Sequence, residues 1–246
     1  MRILSVDPAT KSLAISITDF NENWIKDVLE LGAIHEARLA SAAEFEKTRI
    51  LHAWAMCIEY VIYNVLQLRN VGLFDLTPLK LFQGKTPLEL RMQRLKGVAN
   101  YIRGLGEPPD VVLIEYQMSA NDKSRSIATA LAYEFSPACG EFRSWPPALP
   151  QKTASEKAPI VHIVGPALKN TVFFGEDGRM QNFRKRYIDN YACNKAHSRY
   201  NFLKWITEHN CRSIIADIPK ANIDDVADSF LMAYAWATKQ NSLKTE

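Results

Sequence analysis

Four acidic residues stand where strand or helix ends are expected. Asp7 follows a β-rich run, Glu115 ends the apolar run 110–114, and Asp225 and Asp228 fall in the first turn of an expected final helix. Residues three apart share one helix face, so the last two can point at a common target. Each acid alone also has a structural interpretation, as a turn residue or as a partner of the helix dipole. Glu115 is the hardest to explain that way, because a charge on a buried strand needs a partner, a metal or the sheet edge.

The hydrophobic pattern predicts the elements that position these acids. Arg2–Val6 is β-rich, Leu13–Ile17 alternates, and Trp24–Ile34 is a weaker candidate strand, with no helix signalled before about residue 37. A meander of three antiparallel strands is the simplest interpretation of such a beginning.

Strands and helices are predicted to alternate in the rest of the chain. We expect helices at about 41–68, 88–103, 124–134, 196–208 and 224–238, strands at 110–115 and 160–164, and loops at about 72–87 and 136–158. Ser124 is a plausible N-cap of its helix. Strands first, followed by alternating strands and helices, indicate one α/β domain with a mixed sheet.

Composition excludes several classes of protein. The chain has 246 residues, 47% of them hydrophobic, and a net charge of +3, which rules out disordered, collagen-like and disulfide-scaffold chains. Its four cysteines are far apart without a CxxC pair, as expected of reduced thiols inside a cell. No signal peptide or apolar run of membrane-spanning length is visible, so we expect an intracellular protein without a membrane partner.

Phosphate-binding and nucleophile motifs are incomplete. Gly84-Lys85-Thr86 imitates the end of a Walker A loop, but Leu79 stands where that motif needs glycine. Ala9 replaces the glycine that ATPases with a similar start place in their first phosphate loop. No Gly-x-Ser-x-Gly occurs, and the five histidines form no visible triad. These departures count against an ATPase or a serine hydrolase.

Positive charge is concentrated in two stretches. Each carries a single acid among its cations, which are Lys80, Lys85, Arg91, Arg94, Lys96 and Arg103 in the first and Arg179, Arg184, Lys185, Arg186, Lys195, Arg199 and Lys204 in the second. Aromatic residues interleave with the second stretch, as on surfaces that contact nucleic-acid backbone and bases together. The alternative is two solvated helix faces with core aromatics.

Four segments together resemble the RuvC-like Holliday junction resolvases of the RNase H-like superfamily, in particular the forms of poxviruses and other large DNA viruses. They are LSVDPATKSLAISI, LIEYQMSANDKSRSIATAL, VHIVGPALKN and DDVADSFLMAYAW. Their order, strand-Asp, strand-Glu-x-Gln, strand-Pro-x-x-Lys and helix-Asp-x-x-Asp, agrees with the family. The resemblance implies an RNase H-like α/β fold, with three antiparallel strands followed by parallel strands and helices around the sheet. Residues 36–109 and 136–158 are not matched and are interpreted as insertions in a single domain, 1–246.

The resemblance also implies a set of site residues. Asp7, Glu115, Asp225 and Asp228 fall on four metal-binding carboxylates, although Asp224 also shares a face with Asp228 and could be the ligand or cap the helix. Two Mg²⁺ ions about 4 Å apart, for which Mn²⁺ can substitute, would serve phosphodiester hydrolysis. The remaining implied residues are Lys169 and Lys195 as catalytic lysines and Met118 as an apolar wedge, although Met118 could equally be a loop residue that covers the core. The charge of the second basic stretch, and not the resemblance, indicates the DNA contacts, which are Arg184, Lys185, Arg186, Lys195 and Arg199.

The function implied by these residues is endonucleolytic cleavage of four-way DNA junctions by paired symmetric nicks. Two nicks call for two active sites, which a homodimer supplies. The alternatives are another RNase H-like nuclease, acting on RNA–DNA hybrids or in transposition, and a non-catalytic DNA-binding protein of the same fold. For a viral protein, the cytoplasm or nucleus of the infected cell is the expected location.

Overall fold

A computed structural model describes residues 1–9, 12–77, 87–116, 122–136 and 158–243. Its strands are β1 (Arg2–Pro8), β2 (Ser12–Phe20), β3 (Leu66–Asp75), β4 (Val111–Glu115) and β5 (Ile160–Val164). Its helices are α1 (Trp24–Ser41), α2 (Glu44–Tyr63), α3 (Pro87–Gly104), α4 (Asp122–Phe135), α5 (Met180–Arg184), α6 (Asn190–Glu208) and α7 (Ile223–Leu243). None of the described helices is both long and apolar enough to cross a membrane.

The strands form one mixed sheet in the order β3-β2-β1-β4-β5. β1, β4 and β5 are parallel, with Ser5 paired to Leu113 and Leu113 to His162. β2 runs antiparallel to β1 and β3, as the backbone hydrogen bonds at their ends show. The predicted fold class, an α/β fold with a mixed sheet of antiparallel and parallel strands flanked by helices, is confirmed.

The central strands are buried on both faces because helices cover each side of them. On one face, Leu4 and Val6 of β1 and Ile114 of β4 pack in a core that includes Leu95 of α3 and Leu131 of α4. The alternate residues of β1 and β4 point to the opposite face, and α7 packs against both of these strands. Such double burial accounts for the continuous apolar run that marked β4 in the sequence.

Residues 19–67, together with Met1, form a compact unit of their own, and residues 2–18 and 68–246 form the other. The first unit contains the hairpin of α1 and α2, in which the ring of His35 stacks on Trp54 with centroids 6.2 Å apart. The prediction of a strand at Trp24–Ile34 is therefore wrong, as is the expectation of no helix before residue 37. Trp24, Val28 and Leu31 are partly buried and recur with the buried His35 at helical spacing, which a search for alternation overlooks.

The third strand of the sheet is β3, in a region where the sequence predicted the end of a helix and a loop. Leu66, Leu68 and Val71 of this strand are buried. Gly72 suggested a loop, but a Cβ at this position would lie 3.2 Å from the side chain of Ile15, so the glycine permits close packing within the sheet.

Two smaller expectations also changed or fall outside the structure. Ser124 lies inside α4 and does not cap it, and most of the loop predicted at 136–158 lies outside the described residues.

Candidate active site

Two carboxyl side chains lie at the same edge of the sheet. Asp7 is near the end of β1 and Glu115 is the last residue of β4. The parallel register pairs Val6 with Ile114, which brings Asp7 and Glu115 to the next position, on the face that α7 covers. Their carboxyl groups are close enough that the negative charge of Glu115 helps to raise the pKa of Asp7. The predicted convergence of these two acids is therefore present in the structure.

The start of α7 brings three further carboxylates to this edge. Asp224 and Asp225 lie in its first turn and Asp228 in the next. Asp228 is 2% exposed and Glu115 is 5% exposed, so both are removed from water. Asp224 and Asp225 are only partly buried, at the rim. The sequence left open which of the two rim residues belongs to the site, and the structure places both beside it.

Two lysine ammonium groups lie among these carboxylates. Lys169, in the short turn Leu168–Thr171 after β5, places its Nζ 3.1 Å from both carboxylate oxygens of Glu115 and 2.8 Å from Asp228 Oδ2. Lys195, on α6, places its Nζ 3.0 Å from Asp228 Oδ2 and 2.8 Å from Asp225 Oδ1. The same ammonium group lies 3.4 Å from Asp224 Oδ2. All six residues that the sequence predicted as catalytic are thus together.

The electrostatics of the cluster follow from burial and crowding. Burial would lower the pKa of Lys169, but the negative charges of Asp228, Asp7 and Glu115 outweigh it and raise that pKa. The pKa of Lys195 is raised in the same way against the effect of burial, chiefly by Asp228 and Asp225. Both side chains are therefore firmly held ammonium ions.

The carboxyl group of Asp7 is also surrounded mainly by negative charge, which in its case opposes ionisation. Burial and the negative charge of Glu115 raise its pKa well above the ordinary value, and Asp228 adds to this while Lys169 partly offsets it. Five carboxyl groups face two ammonium groups in this cluster, so its negative charge is not fully neutralised. A further cation would relieve the repulsion.

Two features of the cluster favour a divalent cation, although within the described part of the chain no three His, Cys, Asp or Glu side chains are arranged as a metal-binding group. Asp228 Oδ1 is buried and has no hydrogen-bond partner among the described residues. Carboxylate oxygens are the hard ligands that Mg²⁺ prefers. The unpartnered oxygen and the excess negative charge of the cluster are what a bound cation would satisfy.

Sequence reasoning missed one residue near the cluster, His197 of α6. Its ring is fully buried, contacts the ring of Phe183 edge-on with centroids 5.5 Å apart, and has no hydrogen-bond partner on either nitrogen among the described residues. Burial lowers its pKa, and Asp228 opposes this only in part. His197 is a neutral ring packed behind the charged cluster. No signal in the sequence indicated this position, because His197 lies two residues after Lys195 and residues two apart on a helix do not share a face.

The predicted DNA contacts have different surroundings. Arg184, Lys185 and Arg186 are exposed, Arg199 is half-buried, and Lys195 belongs to the cluster described above. Met118 lies outside the described residues. The other cations of the second basic stretch include Arg179, whose Nη2 is 2.7 Å from Glu176 Oε1.

Part of the first basic stretch has structural contacts. Arg94 donates to the carbonyl of Asp75 at 2.9 Å, and Arg103 forms an ion pair with Glu134 at 3.2 Å. Lys80 and Lys85 lie outside the described residues. The three consecutive cations at 184–186 are therefore the clearest candidates for phosphate contacts.

Comparison with known proteins adds similarity in structure only. No protein-family model matches the chain, and no curated protein sequence matches it. A crystal structure of fowlpox virus resolvase with Holliday junction DNA is similar over 98% of this chain and 99% of that one, at 16% identity and a TM-score of 0.47. Thermus thermophilus RuvC, alone and with a Holliday junction substrate, is similar over 98% of both chains at 10% identity and a TM-score of 0.43.

These similar structures include both the poxvirus and the RuvC kinds of resolvase that the sequence motifs resemble. We take the role of each residue from the geometry of this chain.

Proposed function

We propose that this protein is a Mg²⁺-dependent endonuclease that resolves four-way DNA junctions. The observation that carries the proposal is the cluster at the edge of the sheet, where Lys169 and Lys195 both contact Asp228 Oδ2 beside Asp7 and Glu115. Carboxylates that can hold metal, next to ammonium groups that can hold phosphate, are what phosphodiester hydrolysis requires.

The residues have distinct roles in this proposal. Asp7, Glu115, Asp228 and one or both of the rim carboxylates would hold Mg²⁺, which when bound supplies Lewis acidity to the attacking water and the leaving oxygen. Lys169 is buried and keeps the carboxylate of Glu115 oriented through its two contacts. Lys195 is less buried, at 19% side-chain exposure, so its ammonium group is the one better placed to meet a substrate phosphate as a point charge.

The surface beyond the cluster supports a nucleic-acid substrate. The exposed cations Arg184, Lys185 and Arg186 lie shortly before α6, the helix that carries Lys195. Contacts of this kind hold the phosphate backbone without reading sequence. The four-way junction is the substrate class that the sequence resemblance implies. Paired nicks further imply two copies of the site, and we propose a homodimer that acts on DNA inside the cell.

A cleavage assay on a mobile four-way junction, with both nicks mapped, tests the function. We expect symmetric nicks that require Mg²⁺ or Mn²⁺ and that disappear in Asp7→Asn, Glu115→Gln and Asp228→Asn. Junction binding in the absence of metal should remain in all three variants. Glu107→Gln is the matched control, because Glu107 is exposed and pairs with Arg2 at the opposite end of β1 from Asp7.

Parallel reactions on an RNA–DNA hybrid and on a linear duplex separate the alternatives. Faster cleavage of the hybrid would assign the chain to another kind of RNase H-like nuclease. Junction binding without cleavage in any metal would instead identify a non-catalytic protein. Unimpaired cleavage by any one of the three carboxylate variants would overturn the assignment of the site.

A further inference from the structure

The segment between α5 and α6 presents all of its side chains to solvent. Residues 184–190 are exposed without interruption, yet the backbone is held in place: the amides of Arg186 and Tyr187 donate to the carbonyl of Phe183 at 2.9 and 3.0 Å. Phe183 itself is buried and packs against the rings of His197 and Tyr200. The backbone of the segment is thus held in place by the buried residue Phe183, while its side chains are exposed.

Ile188 is fully exposed at the end of this segment, and a structural role does not account for it. Asp189 is the N-cap of α6 and accepts hydrogen bonds from the amides of Tyr191 and Ala192. An apolar residue just before an N-cap commonly packs against the fourth residue of the helix, which here is Cys193. Cys193 is buried, but Ile188, being fully exposed, does not pack against it. An exposed apolar side chain of this size contributes favourable free energy only when a partner removes it from water.

The surroundings of Ile188 favour a nucleic acid as that partner. Arg184, Lys185 and Arg186 precede it in sequence, and the one acid of the segment, Asp189, is turned into the start of α6 by its two hydrogen bonds. An acidic protein surface could meet the cations equally well. However, the exposed aromatic rings of Tyr187 and Tyr191 on either side of Ile188 add flat faces on which bases stack.

The segment also leads directly to the candidate active site. Tyr191 lies one helical turn before Lys195 on α6, and its ring centroid is 5.9 Å from the Lys195 ammonium nitrogen. That ammonium group contacts Asp225 and Asp228. A DNA strand that reaches the carboxylates along α6 therefore passes the exposed side chains of Tyr191 and Ile188.

We infer that Ile188 contacts bases at the branch point of a DNA junction, while the neighbouring cations hold the adjacent phosphates. In a continuous duplex the faces of the bases are stacked, and inserting an apolar side chain costs the unstacking of a step. At a branch point stacking is already interrupted, so the same insertion costs less. Ile188 is in this way a residue that selects branched over linear DNA. The inference rests on the proposed function and names a specificity determinant for it.

The test measures the affinity of metal-free protein for a four-way junction and for a linear duplex of the same sequence. We expect Ile188→Ser to weaken junction binding by about tenfold, an effect equal to roughly 1.4 kcal/mol, and to leave duplex binding within about twofold. Ile160→Ser is the matched control, because Ile160 is a 55% exposed isoleucine on β5 outside the cationic segment. It should change neither affinity.

A second readout reports the contact itself. With 2-aminopurine placed beside the branch point, the wild type and Ile160→Ser should increase its fluorescence on binding, because the base loses stacking. Ile188→Ser should give a smaller increase at saturating protein. Circular dichroism and melting of the variant confirm that it is folded, as expected for a substitution at a fully exposed position.

The outcomes distinguish this inference from the function on which it rests. If the wild type resolves junctions and Ile188→Ser keeps both the wild-type junction preference and the full fluorescence change, the inference is wrong and the function stands. Equal weakening of junction and duplex binding would also contradict it, by showing a general surface contact. If the wild-type protein neither prefers nor cleaves junctions, both the inference about Ile188 and the proposed function are wrong.

Discussion

Lys169 and Asp228 form a buried ion pair, with the lysine Nζ 2.8 Å from the aspartate Oδ2. The pair connects the turn after β5 to α7, and the same ammonium group reaches both oxygens of Glu115 on β4. The ammonium group of Lys169 thereby connects the turn after β5, helix α7 and strand β4. In the absence of metal, the geometry of the candidate site depends on this lysine.

We expect Lys169→Gln to lower the free energy of unfolding by about 3 kcal/mol in metal-free protein, since removing one partner leaves a buried charge uncompensated. Urea denaturation in the presence of a chelator measures the effect. Lys96→Gln, at an exposed position of α3, should change stability by less than about 0.5 kcal/mol. Equal stability of the two variants would show that the pair is not important for folding.

Divalent metal should stabilise the folded protein. Ligand at about 100 times its dissociation constant adds roughly 2.7 kcal/mol, which for a chain of this size raises Tm by about 5 to 10 °C. The rise should be seen with Mg²⁺ or Mn²⁺ in the wild type and in Glu107→Gln, and should be largely lost in Asp228→Asn. Thermal melting with and without chelator is the measurement. A full metal-induced rise in Asp228→Asn would remove that residue from the metal site.

The raised pKa of Asp7 predicts how metal-free stability depends on pH. Between the ordinary aspartate pKa and the raised one, the folded state binds a proton that the unfolded state has lost. Stability therefore falls as pH rises through this window. Asp7→Asn mimics the protonated form, so it should be the more stable protein at neutral pH, with Tm about 2 to 4 °C higher.

Melting curves across the acidic to neutral range check this pH dependence. The difference between Asp7→Asn and the wild type should shrink toward low pH, where the wild-type carboxyl group is protonated in both states. A variant that is less stable than the wild type at neutral pH would contradict the assigned direction of the shift.

Neutralising the exposed cations should weaken binding to all DNA. Arg184, Lys185 and Arg186 changed together to Gln should reduce the slope of log affinity against log salt by roughly 2 to 3, if each holds one phosphate. Junction and duplex should be affected alike, unlike the selective effect expected at Ile188. Changing Lys26, Arg38 and Arg49, which are exposed on α1 and α2, removes the same charge and should leave the slope nearly unchanged. A similar loss in both triple variants would indicate an effect of net charge alone.

The charged cluster was more predictable from sequence than the elements around it. Asp7 and Glu115 lie at the ends of strands that are apolar and buried, so the hydrophobic pattern predicted where in the fold they lie. Lys169 and Lys195 required the resemblance to known resolvases, because nothing in a lysine's own neighbourhood shows that it folds inward against carboxylates. Their proximity depends on long-range packing of α6 and α7.

Local patterns were misleading where helix and strand signals overlap. Trp24–Ile34 mixes β-branched and helix-forming residues, and its helical stripe becomes clear only when α2 is known to pack against it. In β3, Gly72 has the appearance of a loop residue until its close approach to Ile15 across the sheet is seen. Both errors concern tertiary partners that a single segment does not contain.

Helix α6 has its own consequence for how the protein tolerates change. Its first turns carry Tyr191 and Lys195, and its later turns place Phe202 and Trp205 against Phe230 of α7, with ring centroids 5.3 and 4.6 Å apart. In the proposed function, residues that face the substrate and residues of the core thus share one helix. We therefore expect substitutions within this aromatic cluster to lower the melting temperature of the protein and to cause loss of function, although none of these side chains would touch DNA. In a screen that scores recombination alone, such variants would be indistinguishable from variants of the candidate active site.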